Sequence, residues 1–138
     1  MVALVEADPA LQNRTKILES IKGIGKPTAI ALLVHMPELG TLEPKQAASL
    51  AGLAPVTRES GNWKGKSFIQ GGRKKIRTTL YMPSLVALQH NPPLKKKYHE
   101  FRDRGKPAKV AITAIMRKLI LTANALLRDN REWSKNRP

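Results

Sequence analysis

"ILESIKGIGKPTAIALL", Ile17 to Leu33, decides how the fold is read. Apolar residues recur at helical spacing on both sides of a short break made by Gly23 and Gly25, with apolar Ile24 between them and small Ala29 where two helices would meet. Two helices joined by so tight a turn form a helix-hairpin-helix. The glycines permit positive φ, and the first N–H groups of the second helix can point at a nucleic-acid phosphate. Lys22 and Lys26 flank the turn as phosphate partners. An ordinary helical hairpin would show the same apolar pattern. Lysines placed at the turn of an otherwise neutral segment favour the phosphate reading, and such a contact carries no base specificity.

Outward from the turn, helix-type spacing continues and strand-type alternation is scarce, so the expected class is all-α, mostly helical. Asp8-Pro9 is a start signal for a first helix running to about Ile21. "PTAIALLVHM" follows from Pro27 to Pro37, and "PKQAASLAGL" from Pro44. Periodicity is lost from Ala54 to Gly72, where a glycine-rich loop or short hairpin is expected at about 55–72. "RKKIRTTLYMPSLVALQH" reads as a helix kinked at Pro83, and "PLKKKYHEFRDRG" as a charged helix ending at Gly105. From Pro107 the last helix places Ile112, Ile115, Met116, Leu119, Ile120, Ala123, Leu126 and Leu127 on one face, the pattern of a core helix.

The chain has 138 residues and a formal charge of +15, which points to a polyanionic partner and to one domain. The charge is not spread evenly. Residues 1–55 are neutral, whereas residues 56–118 hold sixteen Lys and Arg against three carboxylates. No cysteine is present, and His35, His90 and His99 have no ligand spacing, so neither disulfides nor a zinc site is expected. The N-terminus lacks the basic start of a leader, and no run reaches the roughly eighteen apolar residues of a membrane span, making a cytoplasmic location the default.

Within the basic segment, "RESGNWKGKSFIQGGRKKIR" (Arg58–Arg77) gathers four of the nine glycines and seven cations. Arg73, Lys74, Lys75 and Arg77 crowd the start of a helix whose dipole already makes that end positive, an arrangement an external anion would relieve. Arg73 and Arg77, four apart, could clamp one phosphate from two sides. Ser60 reads either as an ordinary turn residue or as a nucleophile. Arg58, Lys64, Lys66 and Arg73 could stabilise charge developing on an attacked phosphodiester. Nothing in the chain supplies the base, and Glu59, Glu100 and Asp103 share no spacing that would cage a metal. Trp63, Phe68, Tyr81 and Tyr98 interleave with the cations as stacking platforms or as packing anchors.

"AGLAPVTRESG", "GGRKKIRTTLYM", "HNPPLKKKYHEFRDRGKP" and "KVAITAIMRKL" stand in order between Leu18 and Leu127, and together resemble the C-terminal domain of the insertion sequence 110 family of transposases. The resemblance implies residues 1–16 as the end of a helical connector, 17–130 as the C-terminal domain, and 131–138 as a tail. Inside that domain lie the helix-hairpin-helix at 17–36, a serine-bearing basic loop at 55–77 and the core helix at 107–128. The resemblance further implies that the serine of the "ESG" context, Ser60, attacks DNA in a composite site completed by a RuvC-like domain with an Asp-Glu-Asp-Asp set. Mg2+ would sit on that other domain, a structured guide RNA would direct recombination, and the full-length protein would be a homo-oligomer. Pro83 departs from the alanine common at that position in the family. The acidic domain does not occur in this sequence, so the chain reads as one piece of a larger architecture. Two other classes remain: a non-catalytic helix-hairpin-helix binding module in which Ser60 is loop, and a structural RNA-packaging protein of ribosomal type, which the helix-hairpin-helix disfavours.

Overall fold

Asp8 stands ahead of Pro9, and its Oδ1 accepts from the Ala10 N–H (2.9 Å) and the Leu11 N–H (3.4 Å), so the first helix is capped by the residue the sequence offers for it. A computed structural model describes residues 8–53 and 73–134. Its helices are α1 (Pro9–Glu19), α2 (Lys26–His35), α3 (Pro44–Leu50), α4 (Lys74–His90), α5 (Pro92–Asp103) and α6 (Ala108–Asp129). The class is all-α, as the periodicity requires. The expected loop or hairpin at 55–72 lies outside the described residues.

Proline and capping chemistry set the helix starts. Pro9, Pro27, Pro44 and Pro92 each fall in a first turn, where the missing N–H has no partner to lose. α3 adds a capping box, in which the Glu43 carboxylate accepts from the Gln46 N–H while Gln46 Oε1 accepts from the Glu43 N–H (3.1 Å). α5 ends in two reverse bonds, Gly105 N–H to the Arg102 carbonyl (3.0 Å) and Lys106 N–H to the Phe101 carbonyl (3.1 Å). Pro83 sits buried inside α4, which continues to His90, and the neighbouring buried Ser84 hydroxyl donates to the Leu80 carbonyl at 2.8 Å.

α6 is the axis on which the others pack. α1, α3, α4 and α5 all lie against it, α2 lies between α1 and α4, and α5 also packs on α4. Ile115, Leu119, Ile120, Ala123 and Leu126 are fully buried, as the apolar stripe predicts, while Ile112 is only half-buried at its edge. Burial of each large aliphatic side chain contributes about 2 kcal/mol. Among the described residues α6 is also the one helix long and apolar enough to cross a bilayer, which amends the sequence expectation. Its apolar side chains are engaged with Leu18, Ile21, Leu32, Met36, Leu39, Ile76 and Leu80 in a single cluster.

Candidate nucleic-acid interface

The turn between α1 and α2 is fixed by packing from below. Gly23 has φ +111°, and a Cβ there would lie 2.9 Å from both the Ala87 Cβ and the Pro83 carbonyl oxygen of α4. Glycine is therefore required twice, by its backbone angle and by the approach of another helix. Asn91 closes the underside: it is 1% exposed, its Nδ2 donates to the Lys22 carbonyl (3.1 Å), and its Oδ1 caps α5 at the Leu94 N–H (3.3 Å). Ile24 points into the core, 4% exposed.

The upper side of the turn is open. Lys22, Gly25 and Lys26 are exposed. Gly25 is the N-cap of α2 with φ −93°, an angle open to any residue, and no side chain caps this helix. The N-cap thus offers no side-chain acceptor to the first turn of α2, and the helix dipole makes that end favourable for an anion.

A second cationic point lies at the start of α4. Lys74 and Lys75 are exposed, Arg77 is half-buried, and the first turn holds no acid. Arg73 behaves differently from the expected phosphate clamp. It is the N-cap of α4, and its Nη1 donates to the His35 carbonyl (2.9 Å) and to Glu38 Oε1 (2.8 Å) while Nη2 bonds Glu38 Oε2. This two-toothed pair holds the guanidinium at the end of α2, because a carboxylate fits the guanidinium fork as well as a phosphate does. Bonding from Arg73 holds the Glu38 carboxyl down at about 2, against an ordinary 4.5, and Glu38 in turn raises the pKa of Arg73.

Gly23 rests on Pro83 and Ala87, two to four turns along α4 from Lys74 and Lys75, so one helix spaces the two cationic points by roughly 15 Å along its axis. Ser60, Arg58, Lys64, Lys66, Trp63 and Phe68 lie outside the described residues. The residues flanking that segment are anchored. Arg73 N–H donates to the Leu50 carbonyl at 2.5 Å, Leu53 N–H donates to Ala48 O at 2.8 Å, and Arg117 Nε donates to the Leu53 carbonyl at 2.6 Å. Burial lowers the pKa of Arg117. Among the described residues no three His, Asp or Glu side chains come together to hold a metal. A groove of about 450 Å3 between α5 and α6, bordered by Leu94, Lys97, Lys118, Leu121 and Trp133, contains no carboxylate.

Sequence reasoning missed four structural side chains here: Asn91, Asn124, Glu38 and Arg117. Asn124, on the apolar stripe of α6, is 1% exposed. Its Oδ1 accepts from the Gly40 N–H and its Nδ2 donates to the Leu42 carbonyl, both at 2.7 Å. A polar residue interrupting an apolar stripe is the signal that could have found it. Asn91 before two prolines is legible as a cap, but its bond to Lys22 is not.

Fold and surface together define a basic, all-helical domain with a glycine turn seated on a long helix. Residues 15–99 match the family described as Transposase IS116/IS110/IS902 family, and the chain belongs to that family. It is 37% identical to a pilin gene-inverting protein of Moraxella bovis, over 96% of this chain and 42% of that relative. It is 32% identical to the insertion element IS110 43.6 kDa protein of Streptomyces coelicolor, over 99% of this chain and 33% of the relative. The insertion element IS116 44.8 kDa protein of Streptomyces clavuligerus is 29% identical over 91% of this chain and 32% of its own length. The chain therefore spans less than half the length of these relatives.

Proposed function

We propose that this chain is the DNA-gripping, serine-bearing part of a transposase, acting in DNA transposition or recombination. The observation that supports it best is the pair of cationic points, the α1–α2 turn packed on α4 and the start of α4 itself, spaced by roughly 15 Å along the axis of that helix in a chain of this family. In this reading the turn acts as a helix-hairpin-helix, with Lys22, Lys26 and the backbone of Gly23–Lys26 on one phosphate, while Lys74, Lys75 and Arg77 hold another. Arg73, paired with Glu38, anchors the exit of the 54–72 segment; a phosphate would have to compete with Glu38 for it.

Ser60 is the nucleophile: its hydroxyl oxygen forms a bond to a DNA phosphorus as a strand oxygen leaves, with Arg58, Lys64 and Lys66 offsetting the charge that develops. A RuvC-like acidic domain belongs to the same site. Mg2+ would be held by the acids of that domain; among the described residues of this chain no His, Asp or Glu cluster could hold it. A structured guide RNA, homo-oligomerisation of the full-length protein and a cytoplasmic, nucleoid-associated location complete the reading.

The test is recombination and DNA binding by the protein joined to its acidic domain, with Ser60→Ala. Recombination should fall below detection while DNA affinity stays within about twofold. Unchanged recombination would make Ser60 a loop residue and the chain a non-catalytic binding module. The 138-residue chain alone, with magnesium, should bind duplex DNA with steep salt dependence and leave it uncut.

A further inference from the structure

The charge on α5 is sorted by flank. Leu94, Tyr98 and Phe101 share one face at helical spacing; Leu94 is buried in the core, Tyr98 packs half-buried against it, and Phe101 is half-buried. Lys96, Glu100 and Asp103, at i, i+4 and i+7, share one outer flank, so that lysine stands among acids. Lys97 and Arg104 lie over the Phe101 ring, at 5.8 and 4.9 Å from its centroid. The remaining flank holds Lys95, His99 and Arg102, also at i, i+4 and i+7, with no acid among them, and all three are exposed. Arg102 Nη1 donates to the Lys106 carbonyl at 3.0 Å, which ties the end of the row to the backbone of exposed Lys106 just past the helix.

This row starts beside the glycine turn. Asn91 is bonded to the Lys22 carbonyl, and the Lys95 N–H donates to the Asn91 carbonyl at 2.9 Å, so the first turn of α5 is tied to the backbone next to Gly23. From Lys95 to Arg102 the row covers roughly 10 Å, the axial rise of about three phosphates of one strand.

We propose that the Lys95–His99–Arg102 flank of α5, continued by Lys106, is a track for the phosphate backbone of duplex DNA leading away from the glycine turn. It rests on the reading that this chain grips DNA. The side chains select that partner. The flank has no apolar anchor of the kind that carries a peptide interface and no Tyr, Phe or Trp to stack on unpaired bases: Tyr98 packs against the core, and the Phe101 ring lies under Lys97 and Arg104. Evenly spaced donors without an anchor match a duplex backbone, which they bind regardless of base sequence.

The experiment measures binding of the full 138-residue chain to a mixed-sequence DNA duplex, and to the matching RNA duplex, across a salt series. Each phosphate contact contributes a slope of about 0.9 in log K against log salt. Lys95→Ala/Arg102→Ala should lower the slope on DNA by about 2 and weaken binding at low salt by at least tenfold. The control Lys45→Ala/Lys96→Ala removes the same charge from exposed positions elsewhere and should change the slope by less than about 0.5. Lys95→Arg/Arg102→Lys should keep the wild-type slope. Equal losses in the two double-alanine proteins would overturn the proposal, since net charge alone would then account for them. So would a loss seen on RNA but not on DNA. Wild-type chain that fails to bind any duplex would instead overturn the DNA-gripping reading beneath it. Circular dichroism of each variant separates lost contacts from lost fold.

Discussion

Gly23 and Gly105 both take positive φ, +111° and +84°, and both punctuate helices, but they do different work. Around Gly105 nothing lies within 4 Å of where a Cβ would stand, so its glycine serves only its own backbone and the reverse bonds that close α5. Around Gly23 the Pro83 carbonyl and Ala87 leave no room, so the glycine also sets how closely the α1–α2 hairpin meets α4. The lesson is that one residue type at one kind of angle can be a local convenience or a tertiary requirement. Only the second fixes the platform under the proposed phosphate contact.

The sharpest way to break this comparison is Gly23→Ala. Positive-φ strain of about 1–2 kcal/mol and displacement of α4 by about 1–3 kcal/mol should together cost about 3 kcal/mol, read as a lower urea midpoint. Gly105→Ala meets only the first of these, partly offset by a stiffer unfolded chain, and should cost about 1 kcal/mol in the same assay. Equal losses would mean that α4 yields at Pro83 and that the two turns are alike. The smallest effect belongs to the other attachment of the hairpin to α4, the half-exposed Glu38–Arg73 pair. Glu38→Gln should cost under about 1 kcal/mol at pH 7, because solvent screens the pair. Its carboxyl is held at about 2 against 4.5, so its contribution is fully present above pH 4.5 and lost as pH falls through about 2. Thermal melts of wild type and variant should therefore converge toward pH 2, whereas a gap constant from pH 7 to pH 2 would show that the charge is irrelevant there.

Much of the helical layout was legible from residues whose effect is local. Asp8-Pro9, Pro27, Pro44 and Gly105 act within one turn of chain, and the structure has helix ends within a residue or two of each. The apolar stripe of α6 was legible because 3.6-residue periodicity reports a buried face directly. The helix around Pro83 was legible too, and it runs on to His90; what the sequence could not convey is that the Pro83 carbonyl meets Gly23 across the fold. The candidate site was legible only as charge. The clamp drawn from Arg73 and Arg77 assumed both guanidiniums stay on the α4 surface, but Glu38, thirty-five residues earlier in the chain, engages one of them.

The sequence by itself determined the all-helical class, the helix starts, the core face of α6, the concentration of positive charge in residues 56–118 and the family, because each follows from local periodicity, capping chemistry, composition or an ordered run of motifs. Tertiary structure alone decided which polar groups remain available to a partner. Asn91, Asn124, Arg117 and Glu38 are consumed in bonds that span 35 to 84 positions of chain, whereas Lys22, Lys74, Lys75 and the Lys95–His99–Arg102 flank of α5 are left exposed. Such long-range pairs depend on the register in which packed helices lie, and no local pattern in a chain records that register.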